Sequence, residues 1–223
     1  MRLLVLDVEG TIFMTSVRLP GTSIDSTMWQ AIALALGPAA IQEEVATHKK
    51  WQSGGYTSYL HWMEETIEIH RRHGLSSALF HHLISSAQYN PGVVETLLSV
   101  DRSKFELMLI SGGFRELASR AQRDFKIPHT FAACEYFFDS RGILEAYNLL
   151  PCDFQGKIDF IRLMLREYGL GATDWLFVGD GANDVPIAEC APISIAYRAH
   201  PDLNKIATFS ITDFQDLLAI IKT

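Results

Sequence analysis

The sequence has few cysteines, and this scarcity argues against thiol chemistry and against a disulfide-based fold. Its 223 residues include three cysteines, Cys134, Cys152 and Cys190. The number is odd, and their spacing contains neither a C-x-x-C pair nor an arrangement typical of a metal site. Reduced thiols are usual in cytosolic proteins, where disulfides are rare. We therefore interpret all three as buried, reduced side chains without a catalytic part.

An excess of positive charge and a long apolar run are also lacking. The formal net charge of -7 argues against a nucleic-acid-binding surface, which would carry a basic patch, and suits an enzyme that handles small molecules. The opening "MRLLVLDV" is too short for the apolar core of a signal peptide, and far short of the roughly 20 residues of a membrane span. We expect a cytoplasmic protein that contacts neither nucleic acid nor membrane.

Short apolar runs alternate with amphipathic segments along most of the chain. "RLLVLDV", "FELMLISGG", "DWLFVGDG" and "ISIAYR" end in glycine or polar residues, as strands buried on both faces of a parallel sheet do. The apolar residues from Phe114 to Phe125 follow helical spacing, and "GKIDFIRLMLREYGL" closes near Gly169, a residue type common after a helix. This alternation predicts an α/β fold with a doubly wound, mostly parallel sheet.

The segment from residue 14 to 88 interrupts the alternation. It shows helical patterns, the first with Asp25 or Ser26 as its cap, and no convincing strand. We predict a core domain of residues 1–13 and 89–223 and a small all-helical cap domain of residues 14–88, inserted after the first strand. Such an insert would lie over the carboxyl ends of the strands, where open α/β sheets bind ligands.

The remaining segments are assigned to the core domain. Asn90 would cap the helix that follows the insert, with Pro91 in its first turn. "YFFDSRGILEAY" predicts a hairpin with its turn near Ser140 to Gly142. "FSITDFQDLLAII" predicts a last short strand and a helix capped by Thr212 or Asp213.

Carboxylates follow two of the predicted strands at the point where each ends. Asp7 and Glu9 come after the first, in "LDVEGTIF", and Asp180 and Asp184 after another, in "FVGDGANDV". If the two strands are neighbours, these carboxylates converge on one crevice, where their repulsion favours a bound cation, and oxygen ligands favour Mg²⁺. The glycines between them let backbone approach a ligand, and their free N–H groups suit an anion. A metal beside an anion indicates a phosphate site.

Two further pieces fit such a site. "LISGG" places the Ser111 hydroxyl and two glycine N–H groups just before a helix, and Lys157 near the start of another helix could neutralise a phosphoryl group. Each residue alone has a structural explanation, as a turn former, a helix cap or a surface charge. Their occurrence together, in order, favours a site made of Asp7, Glu9, Ser111, Lys157, Asp180, Asn183 and Asp184.

With these motifs the sequence resembles the haloacid dehalogenase superfamily, and within it the phosphoserine phosphatase-like branch. The pattern D-x-E-G-T, then S-G-G-F, a lysine and G-D-G-x-N-D is similar to the family's four motifs in order and spacing, and the helical insert resembles the branch's cap domain. The resemblance covers nearly the whole predicted core, and it implies a Rossmann-like sheet with the cap after the first strand.

The resemblance also implies a role for each motif residue. Asp7 would be the nucleophile that forms an aspartyl-phosphate, and Glu9 the general acid and base. The remaining ligands follow the same motifs. Mg²⁺ would be held by Asp7, the backbone carbonyl of Glu9 and Asp180, with Asp184 in support. Phosphoryl oxygens would be bound by Ser111, the Gly112 amide, Lys157 and Asn183.

The sequence departs from the branch at the residues that select the substrate. Most members carry aspartate where this chain has Glu9, and glutamate there resembles the enolase-phosphatases and a phosphotransferase group. No acidic residue lies between Glu9 and Asp25 and no arginine between Arg18 and Arg71, so the clamp for the amine and carboxylate of phosphoserine is missing. An unpaired buried amine or carboxylate is costly, and we therefore expect a different phosphate monoester.

Aromatic residues in the predicted cap could line a binding site, although such a stripe on a helix is more often packing. They are Tyr56, Tyr59, His61 and Trp62. The sequence predicts a Mg²⁺-dependent phosphomonoesterase acting on a small phosphorylated metabolite. Two alternatives stay open: a phosphotransferase that passes the phosphoryl group to an alcohol, and a non-catalytic binding protein that keeps the fold.

Overall fold

The computed structural model describes residues 1–19 and 22–222. Its strands, in chain order, are β1 (Arg2–Asp7), β2 (Ser16–Leu19), β3 (Thr22–Asp25), β4 (Phe105–Phe114), β5 (His129–Phe138), β6 (Leu144–Leu149), β7 (Trp175–Gly179), β8 (Ile193–Tyr197) and β9 (Phe209–Ile211). Its helices are α1 (Met28–Leu36), α2 (Pro38–Gln52), α3 (Tyr59–Arg72), α4 (Ser77–Ser86), α5 (Val93–Ser99), α6 (Arg115–Phe125), α7 (Gln155–Glu167), α8 (Val185–Cys190), α9 (Pro201–Ile206) and α10 (Leu217–Ile220). Short 3₁₀ helices span Ala182–Asp184 and Phe214–Asp216.

Packing divides the chain into two compact units. The first comprises Met1–Met14, Gln88–Ala132 and Cys152–Thr223, and the second comprises Thr15–Ala87 and Ala133–Pro151. The second unit therefore includes most of the β5–β6 hairpin, which the sequence analysis assigned to the core domain. Within the described ranges, no helix is both long enough and apolar enough to cross a membrane.

Seven strands form one sheet in the order β6-β5-β4-β1-β7-β8-β9. β1 pairs in parallel with both β4 and β7, and β7, β8 and β9 continue the parallel arrangement. Leu3, Leu4, Val5 and Leu6 of β1 are fully buried, as expected for a central strand covered on both faces. The prediction of an α/β fold with a mostly parallel sheet is confirmed, and all four predicted runs form strands of this sheet.

Helices of the first unit bury the predicted apolar faces. In α6, the buried residues are Leu117, Ala118, Ala121 and Phe125, which recur at helical spacing. After α7 the chain turns at Gly169, whose φ of 63° lies in the left-handed region that glycine adopts without steric cost. At the C-terminal end, the Asp213 side chain accepts a hydrogen bond from the Gln215 N–H and so caps the last 3₁₀ helix, as predicted.

The second unit contains four helices, α1 to α4, but also strands that the sequence analysis did not predict. β2 and β3 pair antiparallel inside the segment predicted to be all-helical. The predicted caps of α1 were wrong by one or two residues: its cap is Thr27, whose Oγ1 accepts from the Gln30 N–H at 3.3 Å. The β5–β6 hairpin is present as predicted, and its turn includes Gly142 at a φ of 76°.

Asn90 does not cap a helix, contrary to the prediction. Helix α5 begins at Val93, after Gly92 at a φ of 81°. The Asn90 side chain reaches back to the segment after β1, where its Nδ2 donates to the carbonyl oxygens of Gly10 at 2.7 Å and Thr11 at 3.0 Å. These two bonds hold the turn that follows β1, because they satisfy carbonyls that belong to no strand.

Candidate active site

Three carboxylates meet at one edge of the sheet. β1 pairs in parallel with β7, so Asp7 at the end of β1 and Asp180 after β7 lie at the same edge. Asp184 joins them from the 3₁₀ helix that follows, and one oxygen from each carboxylate lies within 4.8 Å of the other two. Asp184 is fixed by its Oδ2, which accepts from the N–H groups of Asp180 and Gly181 at 3.1 Å each.

Glycine is required beside two of these carboxylates. A Cβ added at Gly10, whose φ is 95°, would lie 2.0 Å from Asp180 Oδ2. A Cβ added at Gly179 would lie 2.5 Å from Asp184 Oδ2. No side chain of any size fits at such distances. The glycines in "EGT" and "GDG" therefore leave the space that the carboxylates occupy.

Asp180 has a partner that the sequence analysis did not single out. The Thr11 hydroxyl donates to Asp180 Oδ1 at 2.7 Å. Thr11 is fully buried, and Asn90 holds its carbonyl oxygen. The threonine of the D-x-E-G-T motif thus fixes one carboxylate oxygen of Asp180.

Lys157 is the cation among these carboxylates. It lies in the first turn of α7 with no exposed surface, and its Nζ donates to Asp7 Oδ1 at 2.6 Å and to Asp184 Oδ1 at 2.9 Å. Asp153 Oδ1 lies 3.7 Å from the same nitrogen. A buried ammonium needs such partners, because removing a charge from water without compensation is prohibitively costly.

Burial and charge shift the titration of the cluster. Burial raises the pKa of Asp7 well above its usual value, although the ion pair with Lys157 opposes this. Burial, with the nearby Asp184 carboxylate, raises the pKa of Asp180 to about 7. Burial alone would lower the pKa of Lys157, but the surrounding carboxylates outweigh it and hold that pKa well above the ordinary value. The single ammonium therefore leaves the cluster short of positive charge.

These residues fit a hard divalent cation. Asp7 and Asp180 offer carboxylate oxygens within ligand-sharing distance of each other, and Asp184 stands beside them. Oxygen donors in this number are the ligands that Mg²⁺ prefers. A divalent charge would also offset the burial and the carboxylate repulsion that together raise the pKa of Asp180. The donor chemistry and the charge deficit are both compatible with a bound divalent cation.

Glu9 and Ser111 lie side by side near the end of the two central strands. In the register of β1 with β4, Asp7 is opposite Ile110, so Ser111 follows directly on the neighbouring strand. A Cβ added at Gly113 would lie 3.2 Å from Glu9 Oε2 and 3.4 Å from Ser111 Oγ. Ser111 Oγ also accepts from the Gly113 N–H at 3.0 Å. Both predicted residues therefore face the same small region.

Asn183 joins the cluster through a residue that sequence analysis missed. Its Nδ2 donates to Asp153 Oδ1 at 2.7 Å, and Asp153 in turn lies beside Lys157. Burial raises the pKa of Asp153, while Lys157 and Asn183 lower it. The signal in the sequence is slight: an aspartate four residues before the helix-start lysine. Of the predicted site residues, Asp7, Lys157, Asp180, Asn183 and Asp184 form one linked group through these contacts. Glu9 and Ser111 lie near each other where β1 and β4 end.

The aromatic residues of the second unit pack against one another. Trp62 stacks on Trp51 with ring centroids 4.9 Å apart, and Tyr59 meets both rings edge-on. The Trp62 Nε1 donates to Thr47 Oγ1 at 3.4 Å, and His61 contacts the Thr57 hydroxyl. These contacts favour the packing interpretation over a ligand-binding stripe.

Comparison with known proteins agrees with the geometry of the acidic cluster. Residues 1–192 match the family model of the haloacid dehalogenase-like hydrolases. The chain is 26% identical over 149 residues to the phosphoserine phosphatase of Lactococcus lactis, a match that covers 67% of this chain and 68% of the relative. It is 26% identical over 201 residues to the phosphoserine phosphatase of Streptococcus thermophilus, covering 89% and 92% of the two chains.

The fold is also found among solved structures. A phospho-aspartyl intermediate analogue of phosphoserine phosphatase matches with a TM-score of 0.77 over 99% of this chain and 97% of that one, at 19% sequence identity. At 19% sequence identity, this structural similarity shows a shared fold and nothing further. The family model, by contrast, spans most of the sequence and includes every predicted site residue. The chain therefore belongs to the haloacid dehalogenase-like hydrolases, and within that family it is similar to phosphoserine phosphatases.

Proposed function

We propose that this protein is a Mg²⁺-dependent phosphomonoesterase that hydrolyses a small phosphorylated metabolite through an aspartyl-phosphate on Asp7. The observation that carries the proposal is the buried cluster in which Asp7 lies with Asp180, Asp184 and Lys157 at the carboxyl edge of the sheet. A nucleophilic carboxylate can approach a phosphate dianion only where positive charge offsets their repulsion. Lys157 supplies one such charge, and a bound Mg²⁺ would neutralise the negative charge that grows in the transition state.

In the first step, an Asp7 carboxylate oxygen forms a bond to phosphorus while the bond from phosphorus to the substrate oxygen breaks. Glu9 donates a proton to the departing oxygen, so the product leaves as an alcohol. In the second step, Glu9 takes a proton from water, the water oxygen bonds to phosphorus, and Asp7 is released as a carboxylate. The sum of the steps is hydrolysis of one phosphate ester to an alcohol and inorganic phosphate.

The phosphoryl oxygens need hydrogen-bond donors throughout both steps. Ser111, the Gly112 N–H, Lys157 and Asn183 are the donors that we assign to them. The Lys157 Nζ donates to Asp7 Oδ1 at 2.6 Å, so a phosphoryl group bonded to Asp7 would lie within reach of the same ammonium.

The residues of this chain and the names of its relatives support different substrates. The absent clamp residues favour a monoester other than phosphoserine. The relatives named above are phosphoserine phosphatases, and this favours phosphoserine. We propose a small phosphate monoester and place phosphoserine first in the panel to be tested, together with phosphorylated sugars, alcohols and amino alcohols. A cytoplasmic location belongs to the same proposal, supported by three cysteines that form no disulfide. Cys134 and Cys152 are buried as predicted, whereas Cys190 is exposed, contrary to the prediction.

The decisive experiment measures inorganic phosphate release from this panel with Mg²⁺ and with EDTA. Wild-type protein should release phosphate from at least one compound only when Mg²⁺ is present, without any added acceptor alcohol. Asp7→Asn should lower turnover by at least about 10³-fold, because an amide cannot act as the nucleophile.

Dephosphorylation of the substrate that requires an added alcohol, with a phosphorylated alcohol formed in place of inorganic phosphate, would instead identify a phosphotransferase. A folded protein that releases no phosphate from any compound under either condition would support the binding-protein alternative. Full activity of the Asp7→Asn variant would contradict the covalent mechanism.

A further inference from the structure

We propose that Asp153 is a positioning residue for phosphoryl transfer, which orients the Asn183 side-chain amide and shares the positive charge of Lys157. This inference rests on the proposed function, because it assigns a part in the same site. Asp153 lies outside every motif that predicted the site. Its side chain is 9% exposed and lies between the C-terminal part of β4, the start of α7 and the turn after β7.

The hydrogen bond between Asp153 and Asn183 determines whether the nitrogen or the oxygen of the Asn183 amide points towards Asp153. An ionised carboxylate can only accept hydrogen bonds, so the Asn183 nitrogen must point towards Asp153. One N–H of that nitrogen is used in the 2.7 Å bond to Asp153 Oδ1. The second N–H then remains as a donor for a phosphoryl oxygen. Rotation of the amide by 180° would present a carbonyl oxygen to the phosphate instead, and two acceptors repel.

Asp153 also lies directly against Gly112 in the C-terminal part of β4. A Cβ added at Gly112 would lie 2.5 Å from both Asp153 Cγ and Asp153 Oδ2. The carboxyl group therefore occupies the space that any other residue at position 112 would need. This close packing leaves Asp153 few alternative rotamers, which is what a residue that orients another must have.

The backbone around Asp153 adopts an unusual conformation. Phe154 has a φ of 45° and a ψ of -126°, a region that residues with a Cβ rarely occupy. The next residue, Gln155, begins α7, and the Gly156 N–H donates to the Asp153 carbonyl at 2.9 Å. Strain of this kind persists where neighbouring contacts over-determine the conformation, often at functional sites. Here the turn brings Asp153 and Lys157 into the same cluster.

The effect of Asp153 on Lys157 is separable from its effect on Asn183. The 3.7 Å separation from Lys157 Nζ is longer than the 2.6 Å from Asp7, so Asp153 acts there as a nearby charge more than as a hydrogen-bond partner. Asp153→Asn removes the charge but keeps an oxygen that accepts from Asn183. Asp153→Ala removes both.

The first test is kinetic, with p-nitrophenyl phosphate and Mg²⁺ as the assay. We expect Asp153→Ala to lower kcat/KM by about 10- to 100-fold and to weaken inhibition by inorganic phosphate, and Asp153→Asn to lose less. In an Asn183→Ala background, adding Asp153→Ala should lower kcat/KM by less than about 3-fold, because the effects of two interacting residues are not additive. Asp159→Ala is the matched control, since Asp159 lies on α7 with a side chain that is 72% exposed, and it should behave as wild type.

Three results would overturn the inference. They are wild-type kinetics for Asp153→Ala, an equal cost of that change with and without Asn183, and an unaltered inhibition constant for phosphate alongside a lower kcat. The last result is what a structural role alone would give, because fewer folded molecules lower the rate without changing affinity.

The second test needs no activity. In a ¹⁵N–¹H correlation spectrum, the side-chain NH₂ pair of Asn183 is the one that disappears in Asn183→Ala. We expect this pair to shift and to exchange faster with water in Asp153→Ala than in wild type. An unchanged Asn183 pair in that variant would contradict the orienting role. If wild-type protein releases no phosphate at all, the proposed function fails, whereas this spectrum still decides whether Asp153 orients Asn183.

Discussion

At the scale of single residues, the site depends on glycines, which lack a side chain, as much as on its charged residues. Gly10 combines a φ of 95° with a Cβ position 2.0 Å from Asp180 Oδ2, so alanine there forces Asp180 to move. Displacement of about 1 Å in a catalytic group typically costs about 10²-fold in rate. We expect Gly10→Ala to lose about 10²-fold in kcat and to bind Mg²⁺ more weakly, as measured by steady-state kinetics and isothermal titration calorimetry.

Gly74 provides the control for backbone strain. Its φ is 72°, yet an added Cβ would meet nothing within 4 Å. Gly74→Ala should therefore cost about 1 to 2 kcal/mol of stability, from the left-handed conformation alone, with no effect on kcat. The steric explanation for Gly10 would be wrong if its alanine variant kept wild-type kcat, or if both variants lost activity equally.

Residues that fix the site from a distance were the hardest to predict. Thr11 and Asp180 are 169 positions apart in the sequence, and their hydrogen bond exists only because β1 and β7 are neighbours. A threonine after a strand or an asparagine before a proline has a local explanation, as a turn former or helix cap, and Asn90 was assigned that way. Motif residues could be found because the chemistry of phosphate transfer requires several of them in order.

At the scale of secondary structure, the strands that could be predicted from the sequence are those buried on both faces of the sheet. β1, β4, β7 and β8 read as continuous apolar runs, because parallel strands in the middle of a sheet contact helices on each side. β2 and β3 are short and form a separate two-stranded sheet within the described part of the chain. Their sequences, "SVRL" and "TSID", carry no such run. The N-terminal part of β5, with its threonine, cysteine and alanines, gave no clear pattern either.

Helix α2 carries a buried ionisable group whose effect on stability can be measured. Glu44 is 3% exposed, and burial raises its pKa to about 7, although the nearby Thr66 hydroxyl opposes the shift. Between about pH 4.5 and pH 7, native Glu44 keeps a proton that the unfolded chain has released. Its contribution to stability is therefore fully present below about pH 4.5 and falls as the pH rises towards 7.

The variant Glu44→Gln is neutral at every pH and should lack this dependence. The free energy of unfolding of wild type relative to Glu44→Gln should fall by up to about 3 kcal/mol from pH 4.5 to pH 7.5, by urea denaturation. Buried His70, whose pKa burial lowers to about 3, acts in the opposite direction but is common to both proteins. Exposed Glu64 on α3 gives the control Glu64→Gln. A difference that stays constant with pH would show that Glu44 is ionised in the native state.

At the scale of the whole molecule, the cost of the acidic cluster should appear as a dependence of stability on Mg²⁺. Burying carboxylates around one ammonium is unfavourable, and a cation that binds only the folded first unit adds RT ln(1 + [Mg²⁺]/Kd) to its stability, about 2.7 kcal/mol at 100 times Kd. We expect Mg²⁺ to raise the thermal midpoint of wild-type protein and to slow amide hydrogen exchange in the first unit.

Asp180→Asn separates this site from weaker binding by the negatively charged surface. The variant removes a charge that repels Asp7 and Asp184, so it should be at least as stable as wild type without Mg²⁺ and should gain little when Mg²⁺ is added. Asp159→Asn, on the exposed face of α7, should respond to Mg²⁺ as wild type does. Equal stabilisation of Asp180→Asn and wild type would place the bound cation elsewhere. A response confined to wild type and the Asp159 variant would tie the cation to the cluster of Asp7, Asp180 and Asp184, because Asp180 contributes one of the three carboxylate oxygens that lie within 4.8 Å of one another.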